Sequence, residues 1–263
     1  MDPLSVARID AALESVAAEH RVDILLAIES GSRAWGFPSP DSDYDCRFLY
    51  VRRTEEYLSP WLRRDVIELP LEDELDVNGW DLGKALKLLL KGNAVVVEWL
   101  TSPIVYRGDA PLRSALLAFA RRHSNRDGVR RHYLHLGEKQ RRTYFADDKP
   151  VALKKLFYAL RPAAALRWLR LHPAEAIAPM HFPSLMAECG PPAGVAALTA
   201  ELIAAKAVTR ELGEAPLPEP IVRFVDAEFD IARTDLPKPV GPGREAIVEA
   251  EALFRKALAR HAA

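Results

Sequence analysis

Two short apolar runs, Ile24-Leu25-Leu26-Ala27-Ile28 and Phe48-Leu49-Tyr50-Val51, flank a stretch of small and polar residues. Apolar stretches of this length bounded by Gly, Pro, Asp and Ser predict buried strands. Ahead of them Val6, Ile9, Leu13 and Val16 recur at three and four residues, behind Asp2-Pro3. That pattern predicts a capped helix lying on the sheet. Residues 66–69 and Leu75-Asp76-Val77 read as further strands. Asp81 is placed to cap a helix through Leu82, Ala85, Leu86, Leu89 and Leu90, stopped at Lys91-Gly92. Asn93 can cap the next, through Val96, Val97 and Leu100, and Ile104-Val105-Tyr106 reads as an edge strand. Gly108-Asp109 and Pro111 then punctuate the chain.

Beyond Pro111 the apolar period is helical. Leu112, Ala115, Leu116 and Phe119 form one stripe, and a long pattern runs through Val129, Tyr133, Leu136 and Gln140 to a break at Asp147-Asp148-Lys149-Pro150. Another runs from Val151 through Leu156, Leu160 and Leu169, and Pro162 within it is expected to kink or interrupt the helix. Gly190-Pro191-Pro192 and Pro216-Leu217-Pro218 introduce two more, and residues 244–260 a last one. The expectation is an α/β unit with a mixed sheet over residues 1–108, followed by an all-helical unit over 109–263.

At 263 residues and 49% hydrophobic, the chain can bury a substantial core. A net charge of −1 argues against a wholly basic nucleic-acid coat. The charge is uneven, however: residues 121–170 hold fourteen Lys and Arg against four acids. A solvated helix face or a phosphate-binding surface would each account for this. Within it Lys154, Tyr158 and Arg161 are spaced to share a helix face, and Arg130 and Arg131 are candidates for an RNA backbone. His132 and His135, three apart, lack an evident third metal ligand. Cys46 and Cys189 alone imply neither a disulfide framework nor a four-cysteine zinc site, and a reducing cytoplasm fits. No apolar run reaches about 18 residues, so neither a membrane span nor an export signal is expected.

The chemistry is concentrated between the first two strands, in Gly31-Ser32-Arg33-Ala34-Trp35-Gly36 and Ser42-Asp43-Tyr44-Asp45. Side chains alternate along a strand, so Asp43, Asp45 and Arg47 share a face. Two carboxylates so placed repel unless a cation lies between them, and hard oxygen ligands suit Mg²⁺. Turn chemistry explains Asp41 and Ser42, but not an acid at the start of an apolar strand. Gly31 allows close backbone approach, and Ser32 with neighbouring amides can cradle a phosphate. Trp35 and Phe37 read as a hydrophobic plug or as a wall for a nucleotide base. Arg33 reads as a phosphate ligand or as a structural partner of the loop.

Gly31-Ser32-Arg33 followed by Ser42-Asp43-Tyr44-Asp45 resembles the signature of the polymerase-beta-like nucleotidyltransferase superfamily. The longer strings GSRAWGFPSPDSDYDCRFLYV and DVNGWDLGKALKLLLKGNAVVVEWLTSPIVY are similar to its branch of predicted nucleotidyltransferases associated with RNA repair. The resemblance implies transfer of an NMP from an NTP to an acceptor hydroxyl, with release of pyrophosphate. It implies Mg²⁺, or Mn²⁺ in its place, on Asp43 and Asp45, with a third carboxylate completing a two-metal site. Asp76 is the choice for that carboxylate and Glu68 the alternative, whose bland reading is an edge-strand charge. Gly31, Ser32 and Arg33, with Lys154, Tyr158 and Arg161 from the helical unit, are the implied nucleotide-binding residues. RNA is the favoured acceptor. A small hydroxylated molecule such as an aminoglycoside, or a protein side chain, is the enzymatic alternative, and a catalytically idle RNA-binding module is the non-enzymatic one.

Overall fold

The computed structural model describes residues 1–145, 150–210, 212–238 and 240–261. Helix α1 (Pro3–His20) starts on Asp2, whose carboxylate accepts from the Ser5 amide. Its stripe of Ile9, Leu13 and Val16 is fully buried. The chain continues through β1 (Val22–Glu29), a short helix α2 (Gly31–Trp35), β2 (Tyr44–Arg52), α3 (Thr54–Tyr57), β3 (Val66–Glu68) and β4 (Leu75–Asp81). Helices α4 (Leu82–Leu90) and α5 (Ala94–Thr101) follow, capped by Asp81 and Asn93 through their side chains, and β5 (Val105–Gly108) lies at a sheet edge.

The five-stranded sheet has the order β3-β4-β2-β1-β5. β2 and β4 run parallel, and the remaining pairs are antiparallel, so the sheet is mixed as expected. β4 extends through Gly79, Trp80 and Asp81, where the sequence reads as a turn. It is paired on both sides there, to β2 and β3, and ladder hydrogen bonds outweigh the local turn preference of Gly. α1 covers one face, over Phe48, Tyr50 and Val77.

After α6 (Ala110–His123) and α7 (Arg126–Tyr144), a small ribbon pairs β6 (Val151–Ala152) with β7 (Glu214–Ala215). Between its strands lie α8 (Leu156–Leu171), α9 (Phe182–Cys189) and α10 (Ala193–Val208), and after it α11 (Glu219–Thr234) and α12 (Arg244–His261). α8 runs through Pro162 without interruption. It is buried on nearly all sides, and each fully buried Leu or Phe contributes about 1.5–3 kcal/mol, enough to offset one missing hydrogen bond. Gly137 lets α7 press against α8 and α11, since a Cβ there would lie 2.4 Å from Phe229 and 3.0 Å from Pro162. Part of the expected break at 147–150 lies outside the described residues.

The buried apolar clusters divide the chain differently from a break after Gly108. α6 and the returning α12 pack with α4 and α5 on the second face of the sheet, where Leu116, Phe119, Ala246 and Ala250 join Leu25 and Leu49. The separate helical core centres on α8, with α7, α9 and α11 around it. Among the described residues no helix is long and apolar enough to cross a membrane. Cys46 and Cys189 are both buried and free.

Several bases of residues 121–170 are paired with acids from outside that segment. Arg130 is 4% exposed and lies 2.6 Å from Asp235, and Arg131 donates to the Pro237 carbonyl. Arg141 pairs with Asp226, Arg167 and Arg170 share Glu228, and Arg122 pairs with Glu249. The expected RNA contact through Arg130 is thereby corrected: its guanidinium is a buried structural cation.

Candidate active site

The parallel register of β2 on β4 sets Asp45 beside Asp76. Arg47, two residues along, lies on the same face. Its Nη2 donates to Asp45 Oδ1 at 2.9 Å and to Asp76 Oδ2 at 2.6 Å, while Nη1 donates to the Asp76 carbonyl at 2.8 Å. Glu68 is exposed on β3 and paired with Arg64, as an edge-strand charge would be.

The Gly-Ser turn is one turn of helix, α2, closed by Gly36 at φ 86°. Gly31 has φ 61°, and a Cβ there would fall 2.0 Å from Asp45 Oδ2. Only glycine lets the backbone lie against that carboxylate. Ser32 Oγ donates to Ser42 Oγ at 3.0 Å. Arg33 donates to the Ser42 and Asp43 carbonyls and covers the Tyr44 ring at 3.9 Å. Arg33 therefore fixes the approach to β2, and it is not among the residues lining the cleft.

That cleft has a volume of about 470 Å³. Asp41, Asp43, Asp45, Arg47 and the Gly31-Ser32 turn line it, together with Lys154, Lys155, Tyr158, Lys206 and Arg210 from the helical part of the chain. Trp35 also lines it, edge-on to Tyr158 at 6.4 Å. Phe37 is the plug: it is 3% exposed and stacks on Phe157 at 4.6 Å, though its edge also borders the cleft. Lys154 and Tyr158 thus line the same cleft as Asp43 and Asp45.

Arg161 does not join them. It is 4% exposed and its Nη1 lies 2.9 Å from Glu98, which also accepts from Tyr133 at 2.8 Å. The expected nucleotide contact is corrected to an internal ion pair, because Arg161 projects from α8 into the helical core. His132 and His135 border a different cavity, and burial holds the His132 pKa below its usual range.

Lys206 and Arg210 escape sequence reading. They are lone bases in and just after an alanine-rich helix, and their one signal is the four-residue spacing. Glu29 is also missed, although an acid ending an apolar strand is a visible anomaly. It is fully buried, accepts from the Asp45 amide at 3.0 Å and takes the Tyr106 hydroxyl. Burial pushes its pKa up to about 7. Gln preserves both contacts. Glu29→Gln is expected to keep turnover within a few-fold, whereas Glu29→Ala frees the Asp45 backbone and lowers it roughly a hundredfold, the cost of misplacing a reacting group by about 1 Å. Steady-state kinetics of the two variants checks this, and equal losses refute a positioning role.

A hard divalent cation fits Asp43 and Asp45. Both line the cleft, and burial raises the Asp45 pKa, with Arg47 opposing and the charges of Asp76 and Asp43 adding to the rise. A bound cation relieves that crowding. Asp76 differs: it is not among the lining residues, and its carboxylate is held by Arg47. Among the described residues, no three His, Cys, Asp or Glu side chains converge as a metal site.

The uncharacterized protein YcgL of Bacillus subtilis (strain 168) is 37% identical over 218 residues, which cover 83% of either chain. The crystal structure of a nucleotidyltransferase-like protein from Exiguobacterium sibiricum 255-15 overlaps 95% of this chain and 75% of its own, at 13% identity and a TM-score of 0.29. That overlap is too loose to bear on the chemistry. A model of the RNA repair pathway DNA polymerase beta family matches residues 6–256, nearly the whole length, and the chain belongs to that family.

Proposed function

We propose that this protein transfers an NMP from an NTP to an acceptor hydroxyl and releases pyrophosphate. The observation that carries the proposal is the polarity of the cleft. Asp41, Asp43, Asp45 and a Gly-Ser turn line it together with Lys154, Lys155, Lys206 and Arg210. A metal-bound triphosphate needs both signs of charge. Asp43 and Asp45 hold Mg²⁺, or Mn²⁺ in its place, which when bound polarises the phosphate oxygens toward attack. The Gly31 and Ser32 amides and these bases orient the β- and γ-phosphates. Trp35 and Tyr158 offer faces for the base. Asp76 stands beside Asp45 in the sheet and is held by Arg47.

An RNA end is the favoured acceptor, on the family's description. The basic segment supports it less than its charge count suggests, since Arg130, Arg141, Arg161, Arg167 and Arg170 are paired with acids of the fold. A small-molecule or protein acceptor is the alternative. Incubation with each labelled NTP, Mg²⁺ and, separately, total RNA, aminoglycosides or cellular protein tests this. Label in RNA supports the proposal. Label in another acceptor replaces RNA, and a folded protein that labels nothing and releases no pyrophosphate overturns the transferase.

Lys154 provides a finer check. A charge-assisted hydrogen bond is worth roughly 1.5–3 kcal/mol, and about 1.4 kcal/mol is tenfold in affinity. Lys154→Ala is therefore expected to weaken NTP binding about ten- to a hundredfold by titration calorimetry. Unchanged affinity removes Lys154 from the nucleotide site.

A further inference from the structure

We propose that Arg47 is the built-in cation between Asp45 and Asp76, standing where a second metal ion would otherwise lie, so that the cleft takes a single divalent ion. The proposal rests on the reading of Asp43 and Asp45 as the ligands of that ion. Two carboxylates at one register of a parallel pair need a positive charge between them. Here one nitrogen, Arg47 Nη2, contacts both, at 2.9 and 2.6 Å. Nη1 anchors the guanidinium to the Asp76 and Cys46 carbonyls at 2.8 and 3.0 Å. The side chain is 15% exposed. It is thus held at four points in a largely buried place, unlike a mobile surface arginine. Guanidinium keeps its charge at all working pH values and matches carboxylate geometry better than an ammonium. Asp43 lies outside this pairing, at the exposed entry to β2, and shares with Asp45 the wall that faces the cleft.

Arg47 also supplies a reason for Asp76 to be acidic without binding metal: its carboxylate and carbonyl together fix the guanidinium.

The experiment counts Mn²⁺ per chain by electron paramagnetic resonance in complex with a non-hydrolysable NTP analogue, after free ligand is removed. Wild type is expected to hold one ion and Arg47→Met two, because the vacated space is then open to a cation. Arg47→Lys, which keeps the charge, holds one. A wild-type count of two overturns the proposal, as does an Arg47→Met count equal to wild type. If wild type holds none and Arg47→Met gains one, the Arg47 assignment stands and the Asp43–Asp45 metal reading fails. Should Arg47→Met not fold, Asp76→Asn decides instead. It leaves Arg47 in place and is expected to keep the wild-type count, and loss of an ion overturns the proposal. Without nucleotide, Ca²⁺ is expected to raise the melting temperature of Arg47→Met more than that of wild type, and an equal rise counts against it.

Discussion

Asp45→Asn is expected to abolish nucleotide transfer while leaving the fold intact. The carboxylate is an acid of the cleft wall, and a metal-assisted transfer loses several kcal/mol of transition-state stabilisation without it. At about 1.36 kcal/mol per tenfold, turnover falls by roughly a thousandfold or more. The fold tolerates the change because Asn has the same shape, and because burial already disfavours the charge. The Asp45 pKa lies above its ordinary 3.8. A raised native pKa means that the native state binds the proton more tightly than the unfolded chain. Stability from this group is full below the ordinary value and is lost as pH rises through the native one. Asp45→Asn removes that loss, so its melting temperature at neutral pH is expected to equal or exceed wild type. Wild-type turnover in the variant rules out Asp45 as a ligand, and a collapsed melting temperature rules out the electrostatic account.

The second large effect falls on stability. Arg161→Ala removes the cation beside the buried Glu98 carboxylate, which keeps the Tyr133 hydroxyl. Removing one partner of a buried pair costs about 3–5 kcal/mol. At roughly 2–4 °C per kcal/mol for a chain of this size, the melting temperature drops by about 6–20 °C. NTP affinity of the protein that remains folded is expected to stay within a few-fold of wild type, the reverse of Lys154→Ala. A double change of Arg161→Met with Glu98→Gln recovers part of the loss, since no unpaired charge remains. Normal melting with weakened NTP binding in Arg161→Ala would return Arg161 to the nucleotide site.

Lys154 and Arg161 are seven residues apart with the same spacing logic behind them, and they part ways in the structure. Helical periodicity says which residues share a face, but not what that face meets. α8 is enclosed by α7, α9 and α11, and Tyr158 of its first turn, with Lys154 and Lys155 just before it, lines the cleft. Arg161 lies deep enough to meet Glu98 from α5, sixty-three residues earlier in the chain.

Local chemistry was enough for much of this protein. The strand alternation of Asp43, Asp45 and Arg47, the caps at Asp2, Asp81 and Asn93, and the glycine at Gly31 all depend on neighbours within a few residues. Those elements form as read, with the Gly-Ser turn tightening into a helical turn and β4 running longer than its apolar core. The cleft wall of Asp43, Asp45, Gly31 and Ser32 was legible for the same reason. Other features had no local signal, because they are made by residues distant in sequence. Lys206 and Arg210 reach the cleft only because α10 folds back over the loop at Ser39, to which Lys206 donates at 3.3 Å. The basic surplus of residues 121–170 reads as a surface in one dimension, whereas in three Arg122, Arg130, Arg141, Arg167 and Arg170 form ion pairs, since Asp226, Glu228, Asp235 and Glu249 arrive from α11, the segment after it, and α12. Arg47 shows both halves. Its place on the face of Asp45 follows from the period of a strand, but its grip on Asp76 required β4 to pair in parallel at that register, which is a choice that only the assembled sheet makes.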